Sequence, residues 1–253
     1  KYSDFKCHFK AVGSFRQSIC SFYPTKLTEL KNNKFDICMV STAFYMKNGD
    51  IARAIHGDLV VDNEWTEYNI CIAKYLNKYI KDNGKTLIVA LRSNSKDEID
   101  LYESIFNGTD NVFIMPRIAN DNNNNMNPYF NTYSAVNNSQ VIVSMASGIT
   151  LESTGIGKKI LQCDFSMGKQ YFTNYVNGLW QLNENNYKVF SNRLNIIFQL
   201  DIDYYNKIIN KYKNYVMKYD IYEPTYVKIQ KEIKVYKTKF INRKNGKWYK
   251  TTK

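Results

Sequence analysis

Short apolar runs recur along the chain and alternate with longer stretches of helical periodicity. Phe35–Val40, Thr86–Leu91, Val112–Met115, Gln140–Met145, Lys159–Cys163 and Leu179–Leu182 read as strands, most of them buried on both faces, because apolar residues fill consecutive positions instead of alternating with polar ones. Between them, Glu64–Asp82 carries Trp65, Tyr68, Ile72, Tyr75, Leu76, Tyr79 and Ile80 at helical spacing and stops at Asn83-Gly84. Its aromatic stripe reads as core and not as a base-stacking platform. Further helices are expected over Lys96–Phe106, Tyr129–Val136, Leu151–Ile156, Tyr187–Gln199 and Asp201–Tyr219. Strand and helix in turn predict an α/β fold: a doubly wound, Rossmann-like parallel sheet of about six strands with carboxyl-terminal helices.

The alternation fails at both ends and in two internal stretches. Residues 1–34 hold one alternating stretch, Phe5–Phe9, and a segment from Pro24 to Lys34 that reads as a linker or short helix. They are expected to be a fringe of a preceding domain, with the main domain over residues 35–222. Ser41–Asn63 has little periodicity, and loops of that length inside compact domains usually carry function or disorder. Ala119–Asn127 is asparagine-rich and is read as a surface loop without chemistry. Beyond Pro224 the chain turns strongly basic, so residues 223–253 are expected to be a solvated extension that an anionic membrane surface would attract.

Composition narrows the function classes. With 253 residues, 44% of them apolar, a substantial core is expected. No apolar run reaches the roughly 18 residues of a membrane span, and the amino terminus shows no signal pattern. The first residue is not Met, which suggests a processed chain or a fragment. Five cysteines, spread out and with no C-x-x-C pair, read as buried thiols of a reducing compartment, and a cytoplasmic protein, peripheral at most to a membrane, is expected. Only His8 and His56 are present, so a histidine-built zinc site is not expected. The net charge of +12 admits nucleic acid, an anionic membrane or a phosphate-bearing ligand, and charge alone does not choose among them.

The chemistry concentrates in Ser139–Cys163, a strand, a small-residue turn, a short helix and a second strand. Thr150 is read as the N-cap of that helix, and Gly155 and Gly157 as its end. Ligands of open parallel sheets bind beyond the carboxyl ends of strands, where a helix amino terminus offers free N–H groups and a partial positive charge. Ser147, Gly148, Ile149 and Thr150 are therefore the candidate phosphate cradle. Arg92, at the carboxyl end of another predicted strand, is placed to grip a diphosphate through paired hydrogen bonds, or else to pair with a nearby acid.

The run S-x-A-S-G-x-T-L-E-S-x-G-x-G-K-K-I from Ser144 to Ile160 is similar to the donor-binding stretch of GT-B glycosyltransferases. There a small or polar turn precedes a helix carrying Leu-Glu-Ala, then Gly, then the next strand. Tyr133–Cys163 resembles more closely the branch that builds surface and capsular carbohydrates, and Gly13-Ser14-Phe15-Arg16 is similar to its G-S-x-R element. The likeness covers about Val12–Phe165 and departs at Ser153 and Thr154.

This resemblance implies the donor half of an enzyme that moves a sugar from a nucleotide sugar to a growing glycan or lipid-linked acceptor. It implies that Glu152 holds the ribose hydroxyls, where otherwise it is a solvated acid favoured by the helix dipole. It sets Arg16 across the cleft from Arg92, and it leaves the catalytic base to the long loop, with His56 and Asp58 as candidates and Asp62 beside them. No cofactor or tightly bound metal is implied, and no D-x-D motif occurs. A polyanion-binding module and another nucleotide-sugar enzyme, such as an epimerase, are the rival classes; neither accounts for the turn, the Leu-Glu helix and the distant G-S-F-R together.

Overall fold

A computed structural model describes residues 35–42, 63–117, 130–145, 147–165, 178–216 and 223–244. Six parallel strands form one sheet: β1 (Phe35–Val40), β2 (Leu87–Ala90), β3 (Val112–Met115), β4 (Ser139–Ser144), β5 (Lys159–Cys163) and β6 (Gln181–Leu182). Their spatial order is β3-β2-β1-β4-β5-β6, so the winding starts at β1, runs outward to β3 and then resumes on the other side at β4. Because crossovers between parallel strands are right-handed, that reversal sends the helices to opposite faces. The predicted fold class is the observed one.

The strands are buried on both sides because each residue parity meets a different helix layer. Ile37, Met39, Leu87, Val89, Val141, Val143 and Leu161 pack under α1 (Asn63–Asn83), α2 (Lys96–Ile105) and α5 (Tyr187–Gln199). Cys38, Val40, Ile88, Ala90, Ile142 and Ile160 pack under α3 (Phe130–Asn137), α4 (Gly148–Gly155) and α6 (Ile202–Val216). Each large apolar side chain so removed from water contributes about 1.5–3 kcal/mol. The predicted stripe of α1 is core as expected: Ile72, Leu76, Tyr79 and Ile80 are buried, and Tyr79 donates to Asn195 Oδ1 on α5 (2.7 Å).

Three expectations change. The helix of the Ser139–Cys163 unit begins earlier than Thr150, at Gly148, with Ser147 as its N-cap. The last strand is two residues long, preceded by a turn in which Trp180 packs against Gly178. The stretch past Pro224 is not simply a tail, since Thr225–Lys244 forms a further helix, α7. It begins on buried Thr225 and its described side chains are exposed from Lys231 apart from half-buried Glu232.

Candidate functional site

The reversal of winding falls between β1 and β4, which puts a crevice beyond their carboxyl ends. One lip is Ser41-Thr42, where β1 ends. The other is Ser144-Met145, followed by Ser147 and the first turn of α4.

The second lip is the start of α4. Ser147 is extended (φ −135°, ψ 135°), its carbonyl accepts from Thr150 N–H (3.0 Å), and its Oγ accepts only loosely from Ile149 N–H (3.4 Å). Gly148 is exposed, and a Cβ built on it meets nothing within 4 Å. Gly148 thus opens the backbone at the end of α4 where the helix field favours an anion. Of the expected cradle, Gly148 is exposed and Ser147 half-buried.

The rest of the expected cradle is turned inward. Ile149 packs against the core, and Thr150 is fully buried, its hydroxyl hydrogen-bonded to Ser144 Oγ at the end of β4. Thr150 therefore locks helix to strand and does not cap the helix. Ser153 Oγ donates to the Ile149 carbonyl (2.6 Å) and Thr154 Oγ1 to that of Thr150 (2.9 Å), so these polar residues satisfy themselves within the helix. Glu152 is not the solvated acid of the alternative reading: it is 4% exposed and accepts from Tyr133 OH on α3 (2.8 Å).

Three buried side chains whose role sequence reasoning missed hold the first lip. Glu98 of α2 accepts from Ser41 Oγ (2.8 Å), Arg92 N–H (3.0 Å), Ser93 N–H (2.8 Å) and Ser93 Oγ (2.5 Å), which fixes the turn after β2 against the end of β1. Tyr102 OH donates to the same Ser41 Oγ (2.9 Å); burial is the main force pushing that phenol's pKa upward, and the neighbouring Glu98 charge adds to it. Asn69 of α1 accepts from Thr42 N–H (3.2 Å) and Thr42 Oγ1 (3.0 Å), and its amide donates to Met145 Sδ (3.4 Å), tying the two lips together. Glu98 had a local signal, the capping box Ser95-Lys96-Asp97-Glu98, in which Ser95 Oγ accepts from Glu98 N–H (3.3 Å). Asn69 had none.

Arg92 is exposed at the end of β2, two strands from β4 and therefore about 10 Å across the sheet. Its carbonyl accepts from Nη1 of Arg117, which follows β3 (3.4 Å). Arg16, His56, Asp58 and Asp62 lie outside the described residues.

No family model matches the chain by sequence, and neither does any curated protein. Fifteen solved chains match it in shape. One is the UDP-GlcNAc 2-epimerase from Neisseria meningitidis bound to UDP-GlcNAc, 13% identical, with a TM-score of 0.49 over 81% of this chain and 45% of that one. Another is a protein assigned as a UDP-N-acetylglucosamine 2-epimerase from Listeria monocytogenes, 10% identical, with a TM-score of 0.42 over 81% of this chain and 52% of that one. This chain spans about half the length of either. At these identities and scores the likeness adds nothing to what the sheet order establishes.

Proposed function

We propose that this chain is the nucleotide-sugar-binding half of a nucleotide-sugar-processing enzyme, with the diphosphate received at the turn from Ser147 into α4. One observation carries the reading: an open glycine and a capped helix start stand together at the point where the winding of a β3-β2-β1-β4-β5-β6 sheet reverses. Arg92 approaches from the other side as a partner for phosphate charge. Glu152, one helical turn inside, is the acid that would take the ribose hydroxyls, with Tyr133 holding it in place.

Sugar transfer to a surface or capsular glycan is the reaction the sequence resemblance implies. Epimerisation, the activity named for both structural neighbours, makes the same demand on this half. The two differ in product: a transferase releases a nucleoside diphosphate only with an acceptor present, whereas an epimerase converts one nucleotide sugar into another without one.

The binding step is tested by titrating a nucleoside diphosphate and its bare nucleoside against the parent protein and Gly148→Val. A branched side chain at the open glycine should weaken the diphosphate far more than the nucleoside. Equal losses for the two ligands would mean that the turn serves the fold or a base pocket, and the diphosphate assignment would fall.

A further inference from the structure

Helix α7 and the residues after it hold most of the excess charge. From Thr225 to Lys253 there are ten Lys and Arg against a single acid, Glu232, which is +9 of the chain's +12. Along the helix, Tyr226, Ile229, Ile233, Tyr236 and Phe240 recur at spacings of three and four, which aligns them in one stripe. Lys228, Lys231, Lys234 and Lys239 fall on the remaining circumference. Thr225 is buried and anchors the first turn, Tyr226 and Ile229 are half-buried, and Ile233 is 50% exposed beside exposed Lys231 and Lys234, with Val235 exposed on the other side of the helix.

We propose that α7 lies on an anionic lipid surface, with Ile233 toward the acyl boundary and its lysines among the headgroup phosphates. Charge complementarity selects this occupant. Pairing α7 with a second copy would bring two strongly basic helices together, which like-charge repulsion opposes. Nucleic acid would answer the lysines and could stack on tyrosine, but it would leave the exposed aliphatic Ile233 in water, where a lipid surface buries it. Among the described residues no helix is long and apolar enough to cross a membrane, so the geometry is one of lying on the surface. Lys231 pairs with Glu223 (2.6 Å), but both side chains are solvent-accessible, and lipid phosphates can compete for such a pair. The inference stands apart from the nucleotide site, which is at the sheet's carboxyl edge.

The test is sedimentation of the full chain with vesicles of phosphatidylcholine alone and of phosphatidylcholine mixed equally with phosphatidylglycerol. Binding is expected to the mixed vesicles only, and to fall as salt is raised. Each basic residue near such a surface is worth about fivefold in partitioning, so Lys231→Glu with Lys234→Glu should cut binding on the order of 25-fold or more. Ile233→Asp should also reduce it while leaving the unfolding curve unchanged. Failure of the full chain to sediment with mixed vesicles at low salt would overturn the proposal. So would unaltered binding of Ile233→Asp with displacement by a short RNA, which would mark a surface for polyanions acting through charge alone. Self-association that shields residue 233 would overturn it in favour of a second copy.

Discussion

Two glycines bracket α4, and one substitution is expected to act on them in opposite directions. Gly148 has no positive φ and a Cβ there meets nothing within 4 Å. Gly148→Ala should therefore stabilise the fold by about 0.5–1 kcal/mol, because alanine has less backbone freedom to lose. The same methyl group would stand where a phosphate oxygen approaches, so affinity for a nucleoside diphosphate should drop on the order of tenfold. Gly157 has φ +83°, and a Cβ there would lie 3.0 Å from Asn206 Oδ1. Gly157→Ala should cost about 1–2 kcal/mol. Urea denaturation of both variants, with calorimetric titration of the first, checks the pair; a destabilised Gly148→Ala would mean that glycine is needed by the fold. Glu152→Gln keeps an oxygen for Tyr133, so its stability should change by less than about 1 kcal/mol while nucleotide binding weakens. Unchanged affinity would take Glu152 out of the site.

At the scale of elements, Glu98 shows what a helix can fix outside itself. It sits in the first turn of α2, yet its carboxylate accepts four hydrogen bonds from Ser41, Arg92 and Ser93. Glu98→Ala would strand two amides and two hydroxyls in a buried or partly buried place, at a cost of about 3 kcal/mol or more. Loosening the turn should also weaken a diphosphate while sparing a nucleoside, with Glu98→Gln partly restoring both properties; a variant that loses stability but binds both ligands as before would leave Glu98 a purely structural residue. Elements were readable in the sequence where apolar runs have sharp punctuation: Val112–Met115 before Pro116, Lys159–Cys163 after Gly157, Tyr187–Gln199 after Asn186. The start of α4 was misplaced because Ser147 and Thr150 are both good capping residues. What separates them is the Ser144–Thr150 hydrogen bond, a contact between strand and helix that spacing does not express. Asn69 escaped for a related reason, since Thr42 is 27 residues away in the chain, and so did the Glu98 bond to Ser41, which spans 57.

For the whole molecule, alternation of strand and helix made the class of fold legible, but it did not say which strands are neighbours; order is set by how each crossover packs, and it decides both where the site lies and which strand is most protected. β1 sits between β2 and β4 at the centre of the sheet, and Cys38 within it is fully buried. Burial pushes that thiol from 9.0 up to about 12, against a small opposing pull from Lys158. Below pH 9 both native and unfolded chains keep the proton, so the shift is silent; between 9 and about 12 the unfolded chain ionises while the native one cannot, and stability falls as pH rises. At neutral pH, Cys38 should therefore react with an alkylating reagent only when the sheet comes apart, whereas half-buried Cys71 on α1 should react sooner. Labelling of Cys38, followed peptide by peptide in a mass spectrometer, then reports global stability. A ligand bound by the native state alone, present at 100 times its dissociation constant, should slow that labelling about 100-fold. If a nucleoside diphosphate does so and the bare nucleoside at the same concentration does much less, phosphate contributes to binding at the folded sheet. If both leave Cys38 labelling unchanged while it stays slower than that of Cys71, the folded chain binds neither ligand, and the proposed nucleotide site must be given up.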